Sequence, residues 1–346
     1  NVPVMCNWDG GIDYFLDPDD YTKKADGTNS DAANIDYAGD AMAIVKKIYK
    51  KEYKVGNDRY VYFCERKVDD DFHAVGFNVL GKERDYMLIP MFYGSIDSNG
   101  KMRSIAGQWS CLTASGSAAD SANGKAIGTA EQYTAIQAAS GKALFFGGAL
   151  TNTLADICIL LSKSTDSQTA FGSGMCSTYV EDKAQHYGTK INTVIGGGQF
   201  YGSNDNKSFN KIFHSCVMGS YMLWQRDPYM LLINGRIKVS PDYTYDLTGA
   251  KYLDTGVNLA KNGYYATTQV VKDFGAVPND EIACSSATGY CDHTWVNAEI
   301  PAVSLRFGDC FNGAFDGLWA RALNGVAAYA WWTSGASKLL PAPAAA

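Results

Sequence analysis

Helical patterns occur in only two stretches of this sequence, and beyond residue 165 glycine, tyrosine, tryptophan and asparagine dominate. The chain has 346 residues, of which 35 are glycine and 22 are tyrosine, while only 9 are proline. Glycine supplies the backbone freedom that tight turns need, and aromatic residues favour strands. These features exclude a helical bundle, a coiled coil and collagen, and they favour a rigid fold rich in strands and loops.

The two helical patterns lie next to each other along the chain. The first begins at Thr129, whose spacing to Gln132 is that of a capping box, and it ends at Gly141. The second covers residues 151–162 and is expected to be the most buried helix. Its apolar residues recur at helical spacing on one face: Leu154, Ile157, Cys158 and Leu161. The Ser/Ala/Gly-rich residues 110–128 before the first helix are expected to form a surface loop.

Strand patterns are clearest before the helices. Residues 59–65 and 87–93 are runs of β-branched, aromatic and other apolar residues, and both are predicted strands. Residues 56–58 read Gly-Asn-Asp and predict a hairpin turn into the first run. Residues 42–53 alternate lysines with apolar residues, and periodicity alone leaves helix and strand open there.

Charge and cysteine content restrict the functional classes. Lys and Arg total 30 against 36 Asp and Glu, so the net charge is -6, and no half of the chain is strongly basic. Phosphate-backbone binding needs concentrated positive charge, so we expect no nucleic-acid partner. No apolar run reaches the roughly 20 residues of a membrane span. The 9 cysteines are scattered without a CxxC motif, which indicates reduced thiols in a reducing compartment.

Motifs for catalysis and metal binding are mostly missing from the sequence. Cys284, Cys291 and His293 could supply three zinc ligands, but a fourth ligand is lacking and the spacing is atypical. The acidic runs at 17–20 and 69–71 lack the ligand spacing of an EF-hand, so solvated turns are the expected reading. We therefore expect neither a metal nor a cofactor.

The most unusual stretch spans residues 304–336, where glycines alternate with aromatic residues. Phe307, Leu318 and Trp319 fit a buried core. Four other aromatic residues are flanked by small or polar residues and form no buried stripe: Phe311, Phe315, Tyr329 and Trp331. Aromatic side chains on loops give large contact areas at low entropic cost, so these four favour a binding surface over the core alternative.

This stretch resembles the variable region of phage tail and tail-fibre proteins that are diversified by retroelements. The similarity rests on the glycines, on Cys310, on Leu-Trp-Ala-Arg at 318–321, on Leu-Asn at 323–324 and on Trp332. The resemblance implies an α+β, C-type-lectin-like fold, related to formylglycine-generating enzymes. In that fold two helices pack on twisted antiparallel strands with long loops, and here a small β-rich N-terminal part would precede it.

The resemblance also implies which positions vary, within a variable region at 305–337. Where the family pattern has Asn, this chain carries other residues, and these are the expected ligand-contacting positions: Asp309, Phe311, Phe315, Ala322, Gly325, Tyr329, Trp331 and Thr333. Adenine-specific mutagenesis of an Asn codon can produce each of these residue types except Trp. Trp331 therefore needs a different template codon.

Upstream segments follow the order of such tail proteins, at residues 9–21, 87–107, 218–229, 252–256 and 290–295. The chain also departs from the family. Leu-Trp-Gln-Arg replaces the usual Gly-Asn-x-Trp centre within the third segment. The enzyme relatives use a pair of reactive cysteines, but no partner for Cys310 is evident. The acidic residue of the calcium-dependent sugar triplet is missing at 277–279, so a calcium lectin mechanism is not supported.

The resemblance divides the chain into three parts. Residues 1–85 would be a β-rich part for virion attachment or oligomerisation. Residues 86–340 would form the lectin-like ligand-binding domain, and residues 341–346 an unstructured tail. The expected function is a non-enzymatic virion protein, assembled in the host cytoplasm with other tail proteins as a homotrimer. It would bind a host-surface protein or glycan. Two alternatives are a cysteine oxidase that uses Cys310 and a purely structural decoration of the virion.

Overall fold

The fold is mostly β. The computed structural model describes residues 1–108, 110, 112–113, 118–121, 124–178, 198–205, 208–281 and 284–343. Strands make up 35% and helices only 12%, with 4 helices in this described part and a sheet curled into a half-barrel. The expected α+β, C-type-lectin-like arrangement is therefore wrong. The physical reason is that the two long helices pack on different strands and form no common layer, since α1 lies against β10 and β14 and α2 lies against β17 and β21.

The bounds of the elements are as follows. The helices are α1, Thr129–Ala139; α2, Gly148–Ser162; α3, Ser167–Phe171; and α4, Cys216–Gly219. The first strands are β1, Val2–Asn7; β2, Ile12–Phe15; β3, Gly39–Lys46; β4, Tyr49–Val55; β5, Asp58–Cys64; β6, Asn78–Val79; β7, Lys82–Glu83; β8, Tyr86–Pro90; β9, Ser95–Ile96; β10, Met102–Arg103; β11, Leu112–Thr113; β12, Ala118–Ser121; β13, Gly124–Ala126; and β14, Leu144–Phe145. The later strands are β15, Phe200–Tyr201; β16, Lys211–Ile212; β17, Trp224–Ile233; β18, Arg236–Val239; β19, Leu253–Asn258; β20, Thr268–Val271; β21, Gly275–Pro278; β22, Thr294–Val296; β23, Ala302–Arg306; β24, Arg321–Leu323; β25, Ser334–Gly335; and β26, Lys338–Pro341.

A six-stranded antiparallel sheet joins distant parts of the chain in the order β14-β26-β8-β3-β1-β2. The boundary expected at residue 85 falls inside this sheet, because β3 pairs with β8 along five residues. Pro341, the first residue of the expected unstructured tail, is the final residue of β26. Residues 344–346 of that tail lie outside the described part.

Lys338 connects β26 to this sheet through a buried ion pair. Its ammonium group is fully buried and pairs with the carboxylate of Asp40 on β3. Arg103 also approaches Asp40, at 3.5 Å, and both cations lie over the ring of Trp8, 4.8 and 4.7 Å from its centre. Asp40 and the two cations come from β3, β10 and β26, so this buried cluster holds three separate segments together.

A seven-stranded sheet carries the candidate site. Its order is β19-β18-β17-β23-β24-β22, and β25 pairs with β17. The long central strand β17 is buried along almost its whole length. Antiparallel pairing sets Leu305 on β23 opposite Ala322 on β24, and Arg306 opposite Arg321. Because successive side chains point to opposite faces, one face of these strands is apolar here and the other is cationic.

The two long helices begin at positions that differ from their sequence signals. In α1 the N-cap is Gly128 rather than Thr129, and Glu131 accepts the Gly128 N–H at 2.9 Å. Helix α2 starts at Gly148, three residues early, because Asp227 on β17 accepts its N–H at 2.8 Å. As expected, α2 is largely buried, although Leu161, assigned to its buried face, is 55% exposed.

The predicted hairpin is present. Strands β4 and β5 pair over seven residues each around the turn at Gly56, and residues 42–53 comprise the end of β3 and most of β4, separated by residues 47–48. Below the hairpin, Asp156 of α2 accepts both terminal nitrogens of Arg59 at 2.6 Å and lies 2.5 Å from the ammonium of Lys50. Glu52 bridges the same two cations. This buried four-charge network docks the hairpin onto α2.

Candidate functional site

The floor of the candidate site is the apolar face of the central strands. Trp224 at the start of β17, Leu305 on β23 and Ala322 on β24 form a small buried cluster together with Ala320. Trp295 of β22 packs edge-on against Trp224, with ring centres 5.5 Å apart. Strand alternation explains this floor, since Leu305 and Ala322 are paired neighbours on one face.

The loops after β23 and β24 form the walls of a cavity of about 490 Å³ over this floor. This volume is within the usual range for small-molecule sites, roughly 300–1,000 Å³. Three aromatic side chains reach solvent at its rim: Phe311 is 44% exposed, Tyr329 44% and Trp331 38%. Asn312, Asn324 and Ser334 complete the lining with polar groups.

Asp309 supplies the only carboxylate among the described residues that line the cavity. It is 6% exposed, and its Oδ1 accepts the Phe311 N–H at 3.1 Å and the Asn312 side-chain amide at 2.9 Å. The side chains of Thr333 and Trp224 also hydrogen-bond to it. Burial raises the pKa of Asp309 to about 6 despite these four donors. This pKa lies below 7, so the ionised form predominates at pH 7.

Arg226 supports the rim from below. Its position opposite Leu305 places it on the same face as the floor. The buried guanidinium donates to the carbonyl oxygen of Tyr329 and, at 3.2 Å, to the hydroxyl of Thr129. The exposed Tyr329 ring is therefore carried by a backbone that a buried arginine holds to β17 and α1.

The opposite face of the same strands is a buried polar network. Arg306 pairs with Asp227 at 3.1 Å, and both side chains are fully buried. Arg306 and Arg321 each donate to Oδ1 of Asn152 on α2, at 2.9 Å. Asn152 in turn donates to the carbonyl oxygen of Phe274 at 3.0 Å. The strands that carry the site are thus hydrogen-bonded to α2 through the side chains on their opposite face.

The structure brings together seven of the eight sequence-predicted positions. Those lining the cavity are Asp309, Phe311, Ala322, Gly325, Tyr329, Trp331 and Thr333. These positions differ in burial. Asp309, Ala322 and Thr333 are buried in the floor, whereas the aromatic residues are exposed at the rim. The eighth, Phe315, lies elsewhere, against the rings of His293 at 4.8 Å and Trp295 at 6.3 Å.

Sequence reasoning missed the floor residues Trp224, Trp295 and Leu305. Each belongs to a strand, and the three come together only through pairing across β17, β23, β24 and β22. Strand alternation was the available signal in the sequence. Leu305 precedes Arg306 and Ala322 follows Arg321, and neighbouring residues of a strand point to opposite faces. Phe307, Leu318 and Trp319 are buried, as expected.

A larger cavity, of about 880 Å³, lies along the hairpin and β20. Its lining contains charged groups that pair with one another: Lys51 with Asp71 at 2.6 Å, and Lys50 with Glu52 at 2.5 Å. Ion pairs that satisfy each other leave little for a ligand to gain. The smaller aromatic cavity is therefore the better candidate site.

The residues considered for metal and thiol chemistry are placed as follows. Within the described ranges, no group of three or more His, Cys, Asp or Glu side chains is arranged to hold a metal ion. His293 packs its ring against Trp295 and Phe315 instead. Cys310 is fully buried, and burial raises the pKa of its thiol far above the ordinary value. No two of the described cysteines are joined by a disulfide bond.

Comparisons with known proteins give no assignment: no family model and no curated protein matches this chain. Among the described helices, none combines the length and apolar character needed to cross a membrane. The function must therefore be argued from the geometry of the site and from the sequence resemblance.

Proposed function

We propose that this chain is a receptor-binding protein of a phage tail and that the aromatic cavity contacts a ligand on the host surface. The single observation behind this proposal is that seven of the eight positions expected to vary line one cavity. Those positions are spread over 25 residues of sequence, from 309 to 333, yet they surround one space. The resemblance to tail proteins supplies the virion context, which stays part of the proposal.

The burial profile of the site supports recognition. The rim residues Phe311, Tyr329 and Trp331 are more than one-third exposed, whereas the strands beneath are buried. Substitutions at exposed positions usually change stability by less than about 0.5 kcal/mol. The rim can therefore change its chemistry while the sheet and its arginine network keep their structure. A surface that meets varying receptors requires this combination.

The chemistry of the lining favours binding over catalysis. Of the groups that could transfer a proton or attack a substrate, the described lining contains Asp309 and the hydroxyls of Tyr329, Thr333 and Ser334, with no histidine, cysteine or lysine. Asp309 is engaged by four neutral donors rather than by a hydroxyl–base pair. Such a site orients and holds a ligand more readily than it activates a nucleophile.

The oxidase alternative depends on Cys310. A reactive thiol needs to be accessible and needs a lowered pKa, because the thiolate is the reactive form. Cys310 has neither property, since it is fully buried and its pKa is raised by burial and then by the charge of Asp309. A turnover assay with a thiol peptide and copper tests this alternative directly. Product formation that is lost in Cys310→Ser would favour it over receptor binding.

A homotrimer is the expected assembly within this proposal. Three copies of one cavity on a tail would raise the effective affinity for a repeated surface ligand. Light scattering on the purified chain measures the mass, and the trimer expectation fails if only the monomer mass of 37.5 kDa is found at micromolar concentration.

The experiment for receptor binding uses labelled protein and a panel of bacterial strains. We expect retention on a subset of strains, lost in the double variant Tyr329→Ala/Trp331→Ala. The matched control is Phe15→Ala on β2, since Phe15 is also an exposed aromatic residue, at 48%, and lies on the other large sheet. Retention that is unchanged in the double variant would contradict the role of the cavity and would favour the structural-decoration alternative.

Diversification by a retroelement has a separate test at the DNA level. Sibling particles should differ mainly at codons 309–333, and a near-copy of the 305–337 coding stretch should lie nearby, differing mainly at adenines. Absence of such a copy, with sequence changes spread evenly over the gene, would remove diversification from the proposal and leave the binding role to the protein experiment.

A further inference from the structure

The aromatic cavity has an unbalanced charge. In the part of the lining that the structure describes, Asp309 is the only residue with an ionisable acid or base apart from the phenol of Tyr329. The ion pairs found among the described residues include none with Asp309, whose partners are all neutral donors: a backbone N–H, an amide, a hydroxyl and an indole. Neutral donors stabilise a carboxylate without cancelling its charge. The buried Asp309 carboxylate is therefore the anionic group of the described lining, while the guanidinium of Arg226 lies behind the rim on the carbonyl oxygen of Tyr329.

The floor and the rim of the cavity present aromatic rings. In the floor, Trp224 and Trp295 pack at right angles, with an interplanar angle of 89°. Phe311, Tyr329 and Trp331 surround the opening, and Phe311 packs against the ring of Trp332 at 5.5 Å. The face of an aromatic ring carries partial negative charge and attracts cations within about 6 Å of its centre. The aromatic rings and the carboxylate of Asp309 therefore both favour a cationic ligand.

We propose that the aromatic cavity recognises an alkylammonium group on its ligand, held by the rings of the rim and the charge of Asp309. The inference rests on the proposed receptor-binding function and specifies its ligand chemistry. A cation in this cavity would exchange water for aromatic faces while it faces an uncancelled carboxylate, which is the arrangement that compensates for its lost hydration. An anionic ligand would meet the same carboxylate as repulsion.

The size of the cavity sets what carries this group. A volume of about 490 Å³ accommodates far more than a single ammonium ion, so the cation is one end of a larger ligand. Choline headgroups, aminated sugars and lysine side chains all provide an alkylammonium group. The shared chemistry is the proposal, and these sources are separated by the probes of the experiment.

The experiment compares two probes of equal shape and different charge. Choline and its neutral isostere 3,3-dimethylbutan-1-ol are titrated into the purified chain, and binding is followed through tryptophan fluorescence and NMR line shifts. We expect choline to bind at least about tenfold more tightly than the neutral isostere. Glucosamine and lysine methyl ester, titrated in parallel, identify which ammonium source fits best. Equal affinity for the two isosteres would overturn the proposal.

Two variants locate the effect. Asp309→Asn keeps the shape of the side chain and removes its charge, so it should weaken choline binding about tenfold and leave the neutral isostere unaffected. Trp331→Leu should weaken choline binding by a similar factor. The charge-matched control is Asp36→Asn, an exposed carboxylate far along the sequence in the loop before β3, which should leave both titrations unchanged. Loss of choline binding in Asp36→Asn as well would attribute the effect to net charge and overturn the proposal.

The outcomes also separate this inference from the proposed function. If cells retain the protein through Tyr329 and Trp331, but Asp309→Asn and millimolar choline leave retention unchanged, the cation inference fails and receptor binding stands. If choline binds the cavity, but no strain retains the protein in a manner that depends on the rim, receptor binding fails and the cation site stands. Thermal unfolding of each variant checks that the fold is intact.

Discussion

Arg306 and Arg321 stand directly opposite each other on β23 and β24, and both side chains are buried on the face turned away from the cavity. They share one acceptor, Oδ1 of Asn152, but they differ in their other partners. Arg306 has an ion pair with Asp227, whereas Arg321 has no carboxylate within 4 Å among the described residues. Burial, and then the charge of Arg306, lower the pKa of Arg321 well below its ordinary value.

The same substitution at these two positions should therefore have different results. Arg306→Met leaves the buried carboxylate of Asp227 without its cation and should lower the free energy of unfolding by about 3–5 kcal/mol. Arg321→Met removes a buried cation that lacks an ion pair and should cost less than about 1 kcal/mol or stabilise the fold. Urea denaturation measures both values, and each variant serves as the control for the other. Equal losses would contradict the assignment of partners.

Asp309 should make the stability of this protein fall as the pH rises from about 4 to about 6. Its pKa is about 6 in the folded chain and 3.8 when unperturbed, so the folded state holds the proton more tightly. The stabilising effect is complete below pH 3.8 and is lost through pH 6. The difference corresponds to about 3 kcal/mol.

Asp309→Asn should remove this dependence. Its free energy of unfolding, relative to that of the unsubstituted chain, should rise by up to about 3 kcal/mol between pH 4 and pH 7. Burial and then the charge of Asp309 raise the pKa of Asp316, so Asp309→Asn also lowers the pKa of Asp316, and this change adds to the difference between the two pH profiles. Asp36→Asn provides the exposed reference, and a parallel pH profile for Asp309→Asn and the unsubstituted chain would contradict the burial of this carboxylate.

Asp156 should hold the hairpin of β4 and β5 to α2. Burial alone would raise its pKa, but the charges of Lys50 and Arg59 more than offset burial and lower it. Its stabilising contribution is therefore present above pH 3.8 and is lost as the pH falls below that value.

Asp156→Asn leaves two buried cations with Glu52 alone and should cost about 3–5 kcal/mol. Hydrogen exchange should speed up first in the backbone of β4 and β5. Lys67→Ala removes the exposed pair between Lys67 and Asp70, and it should leave the stability of the fold and the exchange of the hairpin unchanged. Uniform loss of protection over both large sheets, instead of the hairpin, would show that the network does not act locally.

Gly308 should tolerate no side chain at the entrance to the cavity loop. Its φ is +105°, and an added Cβ would overlap the buried carboxylate of Asp316. Gly256 also has a positive φ, +78°, but an added Cβ there would meet no atom within 4 Å. We expect Gly256→Ala to cost about 1 kcal/mol and Gly308→Ala about 3 kcal/mol, because only the latter adds a steric clash to the backbone strain. Similar melting temperatures for the two variants would contradict this packing.

The sequence predicted local features better than long-range ones. The hairpin at Gly56, the existence of α1 and α2 and the burial of Phe307 are confirmed, because each follows from a pattern within about ten residues. The start of α2 was missed, since its cap is Asp227, about 80 residues away, rather than a neighbouring Ser, Thr or Asn. The fold class was wrong for the same kind of reason, as strand pairing between distant segments leaves no local pattern.

The candidate site shows a similar division. The rim residues could be identified because aromatic side chains between glycines stand out in the sequence. Phe315 carries the same local signal but lies against His293, and nothing near it in the chain distinguishes it from Phe311. The floor residue Trp295 joins the site only through parallel pairing of β22 with β24. Sequence patterns thus identified exposed residues, and tertiary pairing selected which of them share a cavity.

Strand β26 lies between β14 and β8, so the six-stranded sheet is incomplete until Lys338–Pro341 have been synthesised. During synthesis, β1, β3 and β8 leave the ribosome about 250 residues before their missing neighbour, which takes roughly 10 to 50 seconds at about 5–20 residues per second. For that time the edge of β8 is unpaired and open to other chains. Completion of this sheet therefore waits for the synthesis of about 250 intervening residues, and until then the open edge of β8 is a site where nascent copies can pair with each other.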